Sequence, residues 1–435
     1  MNTQERVALG AKAAKAMLAL GAGAKNDALA AIEARLLERR EDIAAANRAD
    51  VAAAKASNLP GPLLKRLYFE GAKFDEALAG IRALRAIPDP AGRVLEAREL
   101  DEGLVLRRVS CPIGLVAMIF ESRPDALVQM SCLAAKSGNA IVLKGGSEAR
   151  ESNRLLASII REAGVSAGLP QDWLVALETR EEIGELLALD RYVDLVIPRG
   201  SKEFVARIQA TSKIPVLGHS DGVCHVYVHG DADPAMATRI VLDSKTNYPA
   251  ACNAAEVLLV HSDFARAHLP GLAAALLSAS VALEACPRSL ALLQGPSPAP
   301  SLSAKEDGDW SVEYLDMRMA VKVVDSLEEA IDHINRFGSG HTDAIVCRSS
   351  EAAALFQLRV DSASVYHNAS TRFADGYRYG LGAEVGISTG KLHARGPMGL
   401  GGLLTYKWIL EGSGHIVEDY SAGLRAFTHK ELPHD

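Results

Sequence analysis

The chain has 435 residues, of which 49% are hydrophobic, and these figures are typical of an enzyme-sized protein with two or three domains. Its 47 Lys and Arg against 54 Asp and Glu give a net charge of −7 without a long basic run, which argues against nucleic acid or an anionic membrane surface as the main partner. The amino terminus lacks the order of a secretory signal and no apolar run approaches about 18 residues, so we expect no membrane span and a cytoplasmic location.

The first 90 residues are rich in Ala, Leu, Arg and Glu, with apolar residues at helical spacing. This pattern predicts three or four helices. After "IPDPAG" (87–92) the pattern changes, and "RELDEGLVLRRVSCPIGLVAMIF" predicts a hairpin, with "DEG" as its turn, that runs into a buried strand.

A long alternation of strands and helices follows the hairpin. The predicted strands of the first series are 139–144, 193–198, 224–229 and 256–261, and its predicted helices are 147–164, 201–212 and 234–246. A second series predicts helices at 263–284, 326–338 and 350–360, a loop at 294–309, and strands at 319–324, 343–347 and 362–367. Such alternation indicates parallel sheets with crossover helices, so the predicted fold class is α/β, twice over.

Two loops at the carboxyl ends of predicted strands are candidate nucleotide-binding loops. In "IVLKGGSEARESN" the strand ends in Lys144, Gly145 and Gly146 permit close backbone approach, and Ser147 and Glu148 begin a helix. In "LVIPRGSKEF", Gly200 and Ser201 again stand where a helix begins. Neither loop matches GxGxxG or GxxxxGK[ST], so the usual dinucleotide and P-loop fingerprints are absent.

Six cysteines, without CxxC or paired spacing, favour free thiols, and no histidine spacing indicates a metal site. Cys252, in the small-residue stretch "PAACNAAE", is either a buried apolar residue or a nucleophile, and the latter requires a nearby helix dipole or cation. The other cysteines favour structural roles (Cys111, Cys132, Cys224, Cys286 and Cys347). Several histidines near glycines or strand ends leave a Cys–His hydrolase or acyltransferase open (His219, His225, His341, His367 and His393).

Eight motifs, taken together and in order, resemble the gamma-glutamyl phosphate reductases, a branch of the aldehyde dehydrogenase superfamily. They are "ESRPDALVQ", "LKGGSEA", "DLVIPRGS", "IPVLGHSDGVCHVYV", "YPAACNA", "HNASTRF", "YGLGAEVGIST" and "KLHARGPMGL". The chain is also similar to the reductase half of pyrroline-5-carboxylate synthase, although no kinase half is present.

The resemblance implies two Rossmann-like parallel-sheet domains and a small β oligomerisation element. It implies an NADPH-binding domain at 1–95 and 111–248, a catalytic domain at 249–400, and the oligomerisation element at 96–110 and 401–435. The implied reaction is NADPH-dependent reduction of L-glutamyl 5-phosphate to L-glutamate 5-semialdehyde and phosphate, the second step of proline biosynthesis from glutamate. A homo-oligomer, dimer or tetramer, and a glutamate 5-kinase partner are expected on the same ground.

The resemblance also implies roles for individual residues. Cys252 matches the superfamily's nucleophile, and Ser122 stands in the place of its oxyanion-supporting Asn. The implied cofactor-binding residues are Lys144, Gly146, Ser147, Glu148, Gly200, Ser201 and Glu313. The candidate substrate-binding residues are Arg123, His219, Asn368, Ser370, Arg372 and Arg395.

Val216 marks a departure from the hydrolytic aldehyde dehydrogenases, which carry a general-base Glu in the matching turn. The absence of a water-activating carboxylate suits a reductase whose leaving group is phosphate. Alternatives that stay open are a CoA-acylating or other non-hydrolytic aldehyde dehydrogenase, a Cys–His enzyme and a non-catalytic scaffold of the same fold.

Overall fold

A computed structural model of the chain describes residues 1–218, 221–294, 301–306, 308–381 and 386–433. The chain divides into two compact units, each with its own parallel sheet. The first comprises Met1–Leu217 and Met398–Asp435, and the second comprises Gly218–Gly380 and Gly386–Pro397. Within the described ranges, no helix has the length and apolarity needed to cross a membrane.

The first unit contains helices along much of its length, beginning at the amino terminus. They are α1 (Thr3–Met17), α2 (Ala22–Glu38), α3 (Arg40–Ala56), α4 (Gly61–Leu67), α5 (Ala72–Ala86), α6 (Pro124–Ser137), α7 (Arg150–Ser166), α8 (Glu181–Leu187), α9 (Lys202–Thr211) and α15 (Val417–Ser421). Five helices thus occupy the region where three or four were predicted. Pro60 precedes the short α4, and Gly71, with a positive φ of 56°, precedes α5. These two breaks separate α4 from its neighbours, which the apolar periodicity did not indicate.

The central sheet of the first unit is parallel and buried. Its strands are β3 (Leu115–Phe120), β4 (Ala140–Lys144), β5 (Leu174–Leu177) and β6 (Leu195–Arg199). They lie in the order β5-β4-β3-β6. Every residue of β3 and β4 is buried, which explains why these strands are continuous apolar runs rather than alternating ones.

The predicted hairpin is confirmed and forms a second, antiparallel sheet. It consists of β1 (Val94–Asp101) and β2 (Leu104–Pro112), and Gly103 in the turn has φ 73°. The carboxyl-terminal strand β16 (Leu404–Glu411) pairs with β2 along its whole length, and β17 (Lys430–Glu431) pairs with β1. The hairpin and the carboxyl-terminal segment therefore join in one sheet, as expected from the resemblance.

The second unit is built on a parallel sheet of seven strands, with the order β10-β9-β11-β8-β7-β12-β13. The strands are β7 (Cys224–Val228), β8 (Ala255–His261), β9 (Ala282–Ala285), β10 (Leu302–Ala304), β11 (Arg318–Val324), β12 (Thr342–Val346) and β13 (Ser364–His367), and β14 (Gly386–Ser388) pairs with β15 (Gly396–Met398). The helices are α10 (Pro234–Thr246), α11 (Ser262–Ser278), α12 (Pro287–Leu293), α13 (Leu327–Phe337) and α14 (Ser350–Arg359).

Helices cover both faces of this seven-stranded sheet. Leu258 and Val260 pack in one apolar cluster with Val241 of α10, whereas Val257 and Leu259 pack in another with Ile331 of α13. Because successive residues of a strand point to opposite faces and both faces are covered, the central residues 257–260 of β8 are all apolar. The predicted α/β class is confirmed for both units.

Three predictions about the second unit need correction. The loop predicted at 294–309 contains the short strand β10, because Leu302–Ala304 pair with β9. The helix predicted at 263–284 ends at Ser278, and the strand β9 follows, because Ser280 adopts φ 66° and the chain then pairs with β11. The boundary predicted at 248 lies instead between Leu217 and Gly218, because β7 pairs with β8 and β12 and so belongs to the second sheet.

Candidate active site

The first unit brings Ser122 and the two predicted loops to one edge of its sheet. Ser122 follows β3, the Lys144–Glu148 loop follows β4, and Gly200 and Ser201 follow β6. The chain proceeds outward from β3 to β5 and then returns to β6 on the other side of β3, so the strand order reverses between β3 and β6. Ligands of parallel sheets bind outside the carboxyl ends of the strands at such a reversal.

The Lys144–Glu148 loop has no room for side chains at its glycines. A Cβ on Gly146 would overlap the Glu148 carboxylate, and one on Gly145 would overlap the side chain of Asn153. The Lys144 ammonium donates a hydrogen bond to the carbonyl of Gly145, and burial lowers the pKa of Lys144. The loop therefore offers backbone rather than side chains to an approaching group.

Ser122 and Glu148 contact each other directly. Oε1 of Glu148 accepts a hydrogen bond from the backbone N–H of Ser122 at 2.6 Å and another from its hydroxyl. Ser122 is buried and lies in the left-handed region at φ 43°. The Ser122 hydroxyl thus donates to a carboxylate in this structure, and its role as an oxyanion donor stays a prediction.

Glu121 occupies the helix amino terminus that the sequence assigned to a phosphate. The N–H of Ser201, at the start of α9, donates to Oε2 of Glu121 at 2.8 Å. A Cβ on Gly200 would lie 2.5 Å from the same oxygen. Negative groups are favourable at this position, and a carboxylate from the neighbouring loop takes it here. Sequence reasoning missed Glu121, because only the β3–β6 pairing brings it to α9.

Two further cations of the first unit lie near Lys144. Arg180 and Arg150 both lower the pKa of Lys144 further, while Glu148 and Glu182 oppose them. A cavity of about 320 Å³ adjoins the glycine loop, and four arginines are among its lining residues (Arg6, Arg150, Arg154 and Arg161). Two of these are paired, Arg6 with Glu182 at 3.0 Å and Arg154 with Glu178 at 2.7 Å. The sequence did not indicate that these arginines lie near Lys144.

In the second unit, Cys252 and Glu313 meet at a glycine. Cys252 lies in the turn between α10 and β8, and its side chain is partly buried. A Cβ on Gly222 would overlap the backbone of Cys252 and would lie 2.7 Å from Oε1 of Glu313. Gly222 is therefore required by close packing between the predicted nucleophile and the predicted ribose ligand.

Arg372 is the candidate substrate residue beside Cys252. It is 8% exposed, and its Nε has no hydrogen-bond partner among the described residues. Burial and then the nearby Arg378 lower the pKa of Arg372, and Cys252 is among the groups that oppose this shift. Its guanidinium lies 5.9 Å from the ring centre of Tyr248. A buried cation that lacks a full set of partners is a good receptor for an anion.

The other candidate substrate residues of the second unit have partners already. Asn368 exchanges hydrogen bonds with the backbone of Cys347 at 3.1 and 2.9 Å, and Ser370 accepts from the N–H of Arg372 at 3.2 Å. Arg395 pairs with Asp361 at 3.0 Å. Arg123 lies in the first unit, immediately before α6, and His219 lies outside the described residues.

The candidate histidines have structural contacts. Nδ1 of His225 lies 2.8 Å from Asp343, and both side chains are fully buried. Nδ1 of His341 lies 2.8 Å from the hydroxyl of Thr342, and His367 lies 3.3 Å from the carbonyl of Cys347. The residues that the structure describes include no group of three or more metal-binding side chains. Cys132 and Cys347 are buried, as predicted.

Comparison with known proteins decides the family. The model of the aldehyde dehydrogenase family matches residues 2–286. Over 415 residues, the chain is 55% identical to the gamma-glutamyl phosphate reductase of Pelotomaculum thermopropionicum, a match that covers 95% of this chain and 94% of that protein. The chain belongs to the gamma-glutamyl phosphate reductases.

Solved structures agree with this membership. The crystal structure of gamma-glutamyl phosphate reductase from Thermotoga maritima matches 96% of this chain and 100% of its own, with a TM-score of 0.92 and 36% identity. An engineered glycolyl-CoA reductase with bound NADP+ shares the fold at a TM-score of 0.64 and 14% identity, with 94% of this chain and 97% of that chain covered. As a gamma-glutamyl phosphate reductase, the chain is an oxidoreductase with the aldehyde dehydrogenase fold, and this family uses a nicotinamide cofactor.

Proposed function

We propose that the chain reduces L-glutamyl 5-phosphate to L-glutamate 5-semialdehyde and releases phosphate, with NADPH as the reductant and Cys252 as the nucleophile. The name of the relatives supports the reaction, which belongs to proline biosynthesis. The observation that carries the mechanism is the close packing of Cys252, Gly222 and Glu313, with the cationic Arg372 nearby.

The proposed chemistry begins at the Cys252 sulfur. The thiolate attacks the carbonyl carbon of the acyl phosphate, the bond to the phosphate oxygen breaks, and phosphate leaves with the electron pair. The backbone N–H of Cys252 is the proposed donor to the developing oxyanion, and Arg372 supplies positive charge for the departing phosphate. A bound nicotinamide cofactor would supply a hydride to the thioester carbonyl carbon, after which the bond to the Cys252 sulfur would break, with release of the aldehyde and the thiolate.

The residues present fit such a cofactor. A dinucleotide requires close backbone approach, and in the first unit Gly145 and Gly146 present backbone without side chains at the carboxyl end of β4. In the proposal, the Lys144–Glu148 loop binds the adenosine ribose, Gly200 and Ser201 bind the pyrophosphate, and Glu313 binds the nicotinamide ribose. A pyrophosphate at Ser201 has to replace the hydrogen bond that Glu121 now makes.

We propose that the enzyme prefers NADPH to NADH because of the arginines near Lys144. Arg180 and Arg150 are close enough to Lys144 to lower its pKa, and in the proposal their guanidinium groups donate charge-assisted hydrogen bonds to a 2′-phosphate on that ribose. We expect Arg150→Ala/Arg180→Ala to lower kcat/KM for NADPH about 10- to 100-fold and to change that for NADH less than about threefold. Calorimetric titration with 2′,5′-ADP gives a second readout, and Arg191→Ala, before the amino end of β6, is the matched control. An equal loss with both cofactors contradicts the assignment.

Homo-oligomer formation through the antiparallel sheet is a further part of the proposal. The strand β16 lies at the sheet's edge, and Tyr406, Trp408 and Leu410, which share one face of it, are half-exposed. Arg108 covers one side of these rings, 5.1 Å from the Tyr406 ring centre. Oligomer size, a glutamate 5-kinase partner and a cytoplasmic location stay predictions.

The function is tested in the oxidative direction with L-glutamate 5-semialdehyde and NADP+. We expect repeated turnover to NADPH only when phosphate is present, since phosphate is the group that releases the acyl chain from the thioester, and no more than one NADPH per active site without it. Parallel reactions contain coenzyme A in place of phosphate, or neither. Turnover with coenzyme A and not with phosphate supports a CoA-acylating dehydrogenase, and turnover with neither supports a hydrolytic enzyme.

A further inference from the structure

A buried ion pair holds the two ends of the turn that carries Cys252. Lys245 lies in the last turn of α10, and Glu256 is the second residue of β8. Nζ of Lys245 lies 2.6 Å from Oε2 of Glu256, and both side chains are fully buried. Cys252 lies in the segment between them, so the ion pair closes this segment into a loop.

The second oxygen of Glu256 holds a different segment. Oε1 of Glu256 accepts a hydrogen bond from the N–H of Leu315 at 3.2 Å. Leu315 lies in the left-handed region at φ 52°, a conformation that is unfavourable for a branched residue and persists only where the surroundings impose it. Glu256 is the acceptor that fixes the peptide N–H of this strained residue.

The segment that Glu256 holds is the one that carries Glu313. Glu313 precedes Leu315 by two residues, and its Oε1 abuts Gly222 beside the Cys252 backbone. Two charges of the segment also act on the pair: Asp316 attracts Lys245, whereas Glu313 repels Glu256. Burial raises the pKa of Glu256 to about 7, and Lys245 opposes this shift.

Stability alone is a poor reason for such a pair. Well-packed apolar residues commonly match or exceed a buried ion pair in stabilising a fold, because both charges lose their water. Apolar residues could not accept a hydrogen bond from the Leu315 N–H, whereas Glu256 accepts this bond and, through Lys245, also joins α10 to β8.

We infer that Glu256, held in place by Lys245, is a positioning residue that sets Glu313 against the Cys252 turn and thereby fixes the ribose-binding carboxylate of the cofactor site. This inference rests on the proposed role of Glu313. Glu256 touches neither substrate nor cofactor in this account and acts through the peptide N–H of Leu315.

Two double variants, each without the Lys245 charge, test the inference. Lys245→Met/Glu256→Gln retains an acceptor for Leu315, whereas Lys245→Met/Glu256→Leu removes it. We expect the Leu variant to bind NADPH at least about tenfold more weakly than the Gln variant, measured by nucleotide fluorescence, although both have similar melting temperatures. The KM for NADPH rises in parallel, and Arg239→Ala, at an exposed position of α10, is the control.

A double-mutant cycle with Glu313 separates positioning from general damage. In a Glu313→Ala background, the Leu and Gln variants should have equal NADPH affinity, because the carboxylate that Glu256 positions is gone. A tenfold difference that persists in that background overturns the inference while leaving the role of Glu313 intact, and so does equal affinity of the two variants in the presence of Glu313. If Glu313→Ala alone leaves NADPH affinity unchanged, the cofactor role proposed for Glu313 fails, and the inference fails with it.

A conservative variant covers the case in which the Leu variant does not fold. Glu256→Asp keeps the negative charge for Lys245 and shortens the reach to Leu315. We expect weaker NADPH binding with Glu313 present and no further loss in its absence. Unchanged NADPH affinity in Glu256→Asp overturns the inference.

Discussion

Cys252→Ala should lower kcat/KM for glutamyl phosphate reduction by at least about 10⁴-fold, the largest effect that we expect of any substitution. Without the sulfur there is no acceptor for the acyl group, and hydride has no thioester to reduce. The measurement is the initial rate of NADPH consumption with freshly prepared acyl phosphate. NADPH affinity should be unchanged, because the side chain of Cys252 is not among the proposed cofactor ligands.

Cys111→Ala is the matched control for a general effect of thiol loss. Cys111 is a free, partly exposed cysteine of the antiparallel sheet, and its removal should leave the rate unaltered. If Cys252→Ala retains more than about a hundredth of the activity, the covalent route is wrong.

Arg372→Met should lower kcat/KM for the acyl phosphate by about 100- to 1,000-fold, the second largest effect. A guanidinium forms charge-assisted hydrogen bonds with phosphate oxygens, each worth about 1.5–3 kcal/mol. The buried Nε of Arg372 has no hydrogen-bond partner in the part of the chain that the structure describes and is available for one. NADPH affinity should stay within about threefold, and Arg372→Lys should restore part of the loss. The readout is kcat and KM for each substrate separately.

Arg395 offers a sharp comparison with Arg372, since both stand in motifs of the family. The Arg395 guanidinium pairs with Asp361, so Arg395→Met should cost much less activity than Arg372→Met. Thermal unfolding adds an independent readout: Arg372→Met should not destabilise the protein, because it removes a buried charge with incomplete partners. A larger loss of activity in Arg395→Met than in Arg372→Met contradicts this assignment of the anion site.

Local signals in the sequence predicted most individual elements. The helix predicted at 234–246 has the observed bounds, and in the structure the Asp233 side chain caps it and Pro234 fills its first position. The strand β9 and the boundary after Leu217 were not predicted, because both depend on which strands pair across long separations. Apolar periodicity carries no information about such pairing.

The same distinction applies to the candidate site: the sequence identified individual residues, but not the contacts between them. Cys252 and the two glycine loops were identified from residue types and from the resemblance, which needs no knowledge of contacts. The contact of Gly222 with Cys252 and Glu313, the hydrogen bond from Ser201 to Glu121 and the pair of Lys245 with Glu256 join residues that are distant in the sequence. These interactions exist only once the sheets are formed, so sequence patterns do not reveal them.

The acyl-enzyme itself is the most direct test of the proposed mechanism. The enzyme is incubated with L-glutamate 5-semialdehyde and NADP+ without phosphate, quenched in acid, digested and examined by mass spectrometry. We predict a glutamyl group on the peptide that contains Cys252, which disappears when phosphate is added before the quench and never forms in Cys252→Ala. A glutamyl group on another residue, or NADPH formation without any adduct on the protein, would contradict the account.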